Sequence, residues 1–269
     1  MPREIITVQV GQCGNQIGSR FWDVILKEHA EYNPDGVFNE PLSSFFYNCD
    51  PKSGQEIPIG SGTSKIRGLK ARAVLIDSEE GVLSHVLRSK LGELFSGGHF
   101  IKDSSGAGNN WAVGYNDYGP KHHEALLDEF HSAAEKCDSL QSFFMMHSLG
   151  GGTGSGLGSY VLEMLADHFP SVYRFTTSVF PQEDDDVVTS PYNSILALDK
   201  LIEHAHCVLP FDNQALIRIS EEVHRAGGGS SVLKGGTHTK RASFDPLNNI
   251  VAHALTNLTG AVCPHFLEP

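Results

Sequence analysis

One run of small residues, His147-Ser148-Leu149-Gly150-Gly151-Gly152-Thr153-Gly154-Ser155-Gly156-Leu157-Gly158, constrains this chain more than any other feature. It follows Phe143-Phe144-Met145-Met146, an apolar stretch that reads as a buried strand. It precedes Tyr160-Val161-Leu162-Glu163-Met164-Leu165, whose spacing reads as a helix. Strand, glycine turn and helix start together build an anion site: backbone N–H groups point into the turn, no Cβ blocks approach, and the helix dipole adds positive charge. Thr153 and Ser155 add hydroxyls at the rim. A flexible linker has similar composition, but linkers rarely join a strand this apolar to a helix this regular.

With 269 residues, 40% of them hydrophobic and 19% charged, the chain can bury a full core. Its net charge of −12 argues against a general nucleic-acid binder, which would carry a basic surface. The five cysteines are scattered and form no C-x-x-C, which fits reduced thiols in a cytosolic compartment. The 14 histidines include no H-E-x-x-H, and His122-His123 point to different sides of a helix, so surface or core positions are expected for them. The start, Met1 to Ile5, runs straight into a strand and leaves no room for a signal peptide; no apolar stretch approaches membrane-spanning length.

Apolar periodicity predicts strands over 5–10, 71–76, 173–180 and 207–211. It predicts helices from Gln12 to about Ala30, over 120–137, from Ser190 to Ala205 and over 245–259. Ser190-Pro191 and Asp245-Pro246 read as cap and first turn. Residues 31–63 read as a long loop excursion, Glu183-Asp184-Asp185-Asp186 as an acidic loop, and 224–243 as a flexible basic insertion. Alternating strands and helices make the fold class α/β with a mainly parallel sheet. Ligands of such sheets sit where strand C-termini meet helix N-termini, and the Gly11, Asp77, Gly108 and Gly152 regions all fall there.

Neither Walker A nor G-x-G-x-x-G is present, which counts against a dinucleotide oxidoreductase. A phosphate site here would work without a loop lysine, through backbone donors and a metal. Asp77 and Glu79, just past a strand end, are the acids to hold Mg²⁺ through water; a solvated turn is the alternative.

Gly11-Gln12-Cys13-Gly14-Asn15-Gln16, Gly106-Ala107-Gly108-Asn109-Asn110-Trp111, the glycine box, Ser190-Pro191-Tyr192-Asn193 and Asp212-Asn213 occur in the order found in tubulins. Over residues 4–259 the chain resembles the tubulin superfamily. Leu69 to Asp77, Asp185 to Ala197 and Asn248 to Ala252 resemble its epsilon branch. The resemblance implies a three-layer, Rossmann-like nucleotide-binding domain over 1–244, taking GTP or GDP with Mg²⁺, and the start of a central helix at 245–259.

It also implies roles. Gln12 and Cys13 would line the phosphates and the base side of the first helix, and Gln16 would approach the base. Glu79, with Asp77 beside it, would hold Mg²⁺. Ala107, Gly108 and Asn109 would reach the γ-phosphate. Ser148, Gly151, Gly152, Thr153 and Gly154 would cradle the α- and β-phosphates. Asn213 and Asn248 offer amide donors and acceptors to guanine, with Phe244 stacking. Ser190 stands where alpha- and beta-tubulins place a ribose-binding glutamate, so a weaker ribose contact is expected.

The resemblance further implies other tubulin subunits as longitudinal partners, with a neighbour's loop completing hydrolysis. Cytoplasmic and cytoskeletal localisation at centrosomes, centrioles or basal bodies is implied too. The tail over 260–269 resembles nothing in the family, and no second domain follows. The competing expectation is a truncated, non-polymerising isoform without independent function.

Overall fold

The computed structural model describes residues 3–58, 64–95, 100–102, 106–182, 185, 187–226 and 244–260. In chain order, β1 (Glu4–Val10) leads directly into α1 (Gly11–Tyr32). The excursion that follows carries α2 (Glu40–Ser43) and β2 (Phe46–Asn48), which pairs antiparallel with β3 (Leu69–Ala71). Next come β4 (Ala73–Asp77), α3 (Glu80–Arg88) and β5 (Phe100–Lys102). A π-helical stretch, Val113–Tyr118, runs through α4 (Gly119–Lys121) into α5 (His123–Glu135). Then follow β6 (Leu140–Ser148), a π-helical turn at Thr153–Leu157, and α6 (Gly158–His168). The described chain continues with β7 (Tyr173–Phe180), α7 (Ser190–His204), β8 (Cys207–Asp212), α8 (Asn213–Ala226) and α9 (Asp245–Thr259).

Six strands form one sheet in the order β5-β4-β1-β6-β7-β8, and every neighbouring pair is parallel. The order reverses between β1 and β6, the switch point at which doubly wound sheets open a crevice. Alternating side chains feed two cores. Leu75, Phe144 and Met146 pack with α1, α3, α8 and α9 on one face. Val74, Phe143 and Met145 pack with α5, α6 and α7 on the other. The sheet between two helical layers is the three-layer α/β fold that the sequence pattern and the resemblance imply.

Several boundaries differ from expectation. The strand read over 71–76 splits at Arg72, because β3 belongs to the small hairpin while β4 enters the main sheet. The buried Arg72 guanidinium sits at that break, pairing with Glu4 at 2.9 Å and donating to the Ser43 carbonyl at 3.1 Å. The excursion is tied down by aromatic packing: the Trp22 ring lies edge-on, 5.2 Å from Phe46 and 6.4 Å from Phe45. Ser190 and Asp245 are the first residues of α7 and α9 rather than their caps; Thr189 and Phe244 precede them, and neither makes a side-chain capping bond. Helix α8 runs through Arg225 to Ala226, so the stretch read as a basic insertion begins inside a helix; residues 227–243 and 261–269 lie outside the described residues, as do Glu183, Asp184 and Asp186. No helix among the described residues is long and apolar enough to cross a membrane.

Candidate functional site

At the C-terminal edge of the sheet, where β1 and β6 diverge, a cavity of about 580 Å³ opens. Gln12, Cys13 and Gln16 line it from α1, and Asp77 and Glu79 from the end of β4. Asn109, Ser148 and Gly150 through Gly154 form another wall. Phe180 ends β7 and Pro181, Asp185 and Val187 follow it, and Asn213, Phe244, Leu247, Asn248 and Val251 come from α8, α9 and the residue before α9.

The glycine loop is built by close approach. A Cβ on Gly152 would sit 2.6 Å from the Asn110 backbone nitrogen and 2.9 Å from the Ala107 methyl. Gly11 adopts φ +73°, and its Cβ would come within 3.0 Å of the Gly154 nitrogen. Three loops thus meet backbone to backbone, leaving N–H groups rather than side chains at the junction. The π-helical turn at Thr153–Leu157 carries the loop into α6. The Ser155 hydroxyl donates back to the Gly151 carbonyl, and the hydroxyls of Ser78 and Thr153 lie 2.5 Å apart, joining the β4 loop to the glycine loop.

His147 supports this loop from beneath. Its Nδ1 is 2.9 Å from the Gly154 carbonyl and its Nε2 2.9 Å from the Ser178 hydroxyl. Burial pushes the imidazole pKa down to about 4, so the ring is neutral near pH 7. A carbonyl can only accept, which assigns the proton to Nδ1 and makes Nε2 the acceptor for Ser178.

On the acidic side, Asp77 is buried and its Oδ1 accepts the Glu79 N–H at 3.2 Å. Desolvation, against the opposing backbone hydrogen bonds, pushes its carboxyl up to about 6. A cation close by would favour the charged form of this desolvated carboxyl. No cluster of three His, Cys, Asp or Glu among the described residues could hold a metal alone. Two carboxylates beside a phosphate loop nevertheless fit Mg²⁺, which takes one or two carboxylates plus ligand phosphates and water.

The amides of Asn213, Asn248 and Gln16 and the half-exposed ring of Phe244 line the same cavity, with Leu247 and Val251. Desolvation pushes the Cys13 thiol up to about 12, so it faces the cavity protonated.

Four residues singled out from sequence do not line the cavity; one is Ser155, expected at the rim but fully buried, its hydroxyl turned back to the Gly151 carbonyl. Ala107 packs beneath Gly152, and its carbonyl accepts the Asn110 N–H at 3.0 Å. Gly108 forms the turn with φ +57°. Ser190 is buried, its hydroxyl between the Gly150 carbonyl at 3.3 Å and an Asp185 carboxylate oxygen at 2.5 Å. Conversely, Asp185, visible in sequence only as part of an acidic run, lines the cavity itself. His147 and Asn193, within the quoted motifs but given no role there, support the site through contacts 31 and 84 residues apart in sequence, a separation that spacing does not reveal.

Comparison with known proteins bears on this geometry. Residues 4–221 match the GTPase domain of the Tubulin/FtsZ family. The tubulin epsilon chain of Homo sapiens is 48% identical over 273 residues, covering 95% of this chain and 56% of that protein. The tubulin epsilon chain of Mus musculus is 47% identical over 274 residues, with the same coverage. The chain thus spans about half the length of these relatives.

Proposed function

The chain belongs to the Tubulin/FtsZ family, and we propose that it binds GTP and GDP with Mg²⁺ as a nucleotide-binding domain of the epsilon type. The observation that carries this reading is the set of residues that line one cavity. A glycine loop and two carboxylates form one part of its wall, and two asparagine side chains with an aromatic ring form another. Backbone N–H groups of Gly151, Gly152, Thr153 and Gly154 would take the α- and β-phosphates, with Gln12, Cys13 and the Ser148 hydroxyl beside them. Asn109, supported by Ala107 and Gly108, would meet the γ-phosphate. Asn213 and Asn248 would pair with the guanine edge, Phe244 would stack on it, and Gln16 would flank it.

Mg²⁺, held by Glu79 and Asp77 through water and shared with phosphate oxygens, would neutralise the charge of the phosphate chain. The Ser78–Thr153 contact would keep the metal-side loop in register with the phosphate loop. Among the described residues no lysine lines the cavity, so phosphate binding would rest on oriented backbone dipoles and the cation.

Family membership also supports a cytoskeletal, cytoplasmic protein whose nucleotide face meets another tubulin subunit, the neighbour supplying the group that orients the hydrolytic water. We extend this to a role in microtubule organisation at centrioles or basal bodies, on the similarity to tubulin epsilon chains. Isothermal calorimetry of the purified chain with GTP and with ATP, each with and without Mg²⁺, tests the binding reading. Mg²⁺-strengthened heats with GTP and none with ATP are expected; equal binding of both nucleotides would overturn it.

A further inference from the structure

Asn193 lies in the first turn of α7, is 3% exposed and does not line the cavity. Its Nδ2 donates to the carbonyl of Asn109 at 2.9 Å and to that of Gly150 at 2.8 Å. Its Oδ1 accepts the Trp111 N–H at 2.9 Å. Only a primary amide fits: two donors meet two carbonyls and one acceptor meets an N–H. One residue before α7, the exposed Thr189 donates its hydroxyl to the same Asn109 carbonyl at 2.5 Å.

Asn109 has φ +53° and is the one non-glycine with positive φ among the described residues. Asparagine tolerates that conformation better than other residues with a Cβ, and surrounding bonds select it over the right-handed alternative. Here those bonds are the two on its carbonyl. The far end of the loop is clamped as well: the Trp111 ring stacks on Tyr115 with centroids 4.4 Å apart, and its indole N–H donates to Ser159 at 3.2 Å. Asn109 itself faces the cavity beside the glycine loop, its Oδ1 4.0 Å from where a Cβ on Gly151 would stand.

We infer that Asn193 and Thr189 are positioning residues that set a preference for nucleoside triphosphate over diphosphate, by holding Asn109 in its left-handed conformation at the terminal-phosphate end of the cavity. The inference rests on the guanine-nucleotide reading above. On that reading a diphosphate has no phosphate at Asn109, so freeing Asn109 weakens chiefly the triphosphate complex.

The test is competition of GTP and GDP against a fluorescent GDP analogue, in Mg²⁺, for the full chain and its Asn193→Asp and Thr189→Val variants. Asn193→Asp keeps the acceptor for Trp111 but sets a carboxylate oxygen against two carbonyls. Thr189→Val is exposed and close to isosteric, so it reports even where the buried variant does not fold. A fall in the GTP-to-GDP affinity ratio of about fivefold to tenfold, with GDP affinity held within about threefold, is expected for each folded variant. An unchanged ratio, or equal losses for both nucleotides, assigns these residues a structural role only and overturns the inference. A wild-type chain that binds GDP and GTP equally also overturns it and leaves the guanine-nucleotide reading intact. A wild-type chain that binds neither overturns both.

Discussion

The Ser190 hydroxyl lies 2.5 Å from a carboxylate oxygen of Asp185, which faces the cavity from the loop after β7. The chain therefore presents a carboxylate at this wall although its sequence places a neutral serine where a glutamate is expected. Ser190 acts one step back, as the group that orients the acid. The expectation of a weakened ribose contact, made from Ser190 alone, does not allow for this second residue. Replacing Asp185 with Asn is predicted to reduce discrimination between GTP and its 2′,3′-dideoxy analogue by about tenfold, because a charge-assisted hydrogen bond to a hydroxyl becomes a neutral one. Competition binding with the two nucleotides checks this. Retained discrimination would place the ribose away from Asp185.

Two neighbouring glycines should respond in opposite ways to the same substitution. A Cβ on Gly152 meets the Asn110 nitrogen at 2.6 Å, so Gly152→Ala must push two loops apart, costing about 1–3 kcal/mol of stability. A Cβ on Gly151 meets nothing nearer than the Ser148 hydroxyl at 3.8 Å, so Gly151→Ala should unfold at the wild-type temperature. Its new methyl would nevertheless stand on the cavity wall between Ser148 and Asn109, so weaker GTP binding is expected. Thermal melts with and without nucleotide separate the two effects.

Much of this was legible because its causes are local. Phe143 to Met146 announces a strand buried on both faces, and the glycines after it announce a turn without side chains. The apolar residues of α8, among them Leu216, Ile217, Ile219 and Val223, were equally visible, yet no element was assigned to that stretch from sequence. What local pattern does not carry is the partner of a polar side chain. Asn193 reads as a helix residue until Asn109 and Gly150 arrive from elsewhere in the chain. Asp185 reads as one acid among four until Ser190 fixes it. The asparagines of the base end became readable through family resemblance alone, since a lone Asn is more often a turn residue.

The buried His147 predicts acid sensitivity of defined sign. Its pKa is near 4 in the folded chain and near the ordinary 6.5 when unfolded. Between those values the unfolded state binds the extra proton, so stability is complete above about pH 6.5 and falls as pH drops towards 4. The loss attributable to this residue from pH 7 to pH 5 is about 2 kcal/mol. Urea titrations of wild type and His147→Gln at both pH values should show a smaller acid loss in the variant, even though the variant is less stable at pH 7 through loss of its bonds to Gly154 and Ser178.

At the base end, Asn213→Ala and Asn248→Ala each remove an amide from the cavity wall. Each is predicted to lower affinity for GTP about fivefold to thirtyfold but that for inosine triphosphate, which lacks the 2-amino group, by less, which narrows base selectivity. Paired calorimetric titrations measure it. Equal losses for both bases would mean that these amides hold the fold and do not read guanine.

The most direct test of the central claim is the nucleotide carried by the protein itself. The chain is purified in Mg²⁺, denatured, and the released small molecules are separated by anion-exchange chromatography. The account predicts guanine nucleotide, GTP or GDP, at close to one per chain. A folded, monodisperse sample that releases none and takes up no added GTP would contradict it.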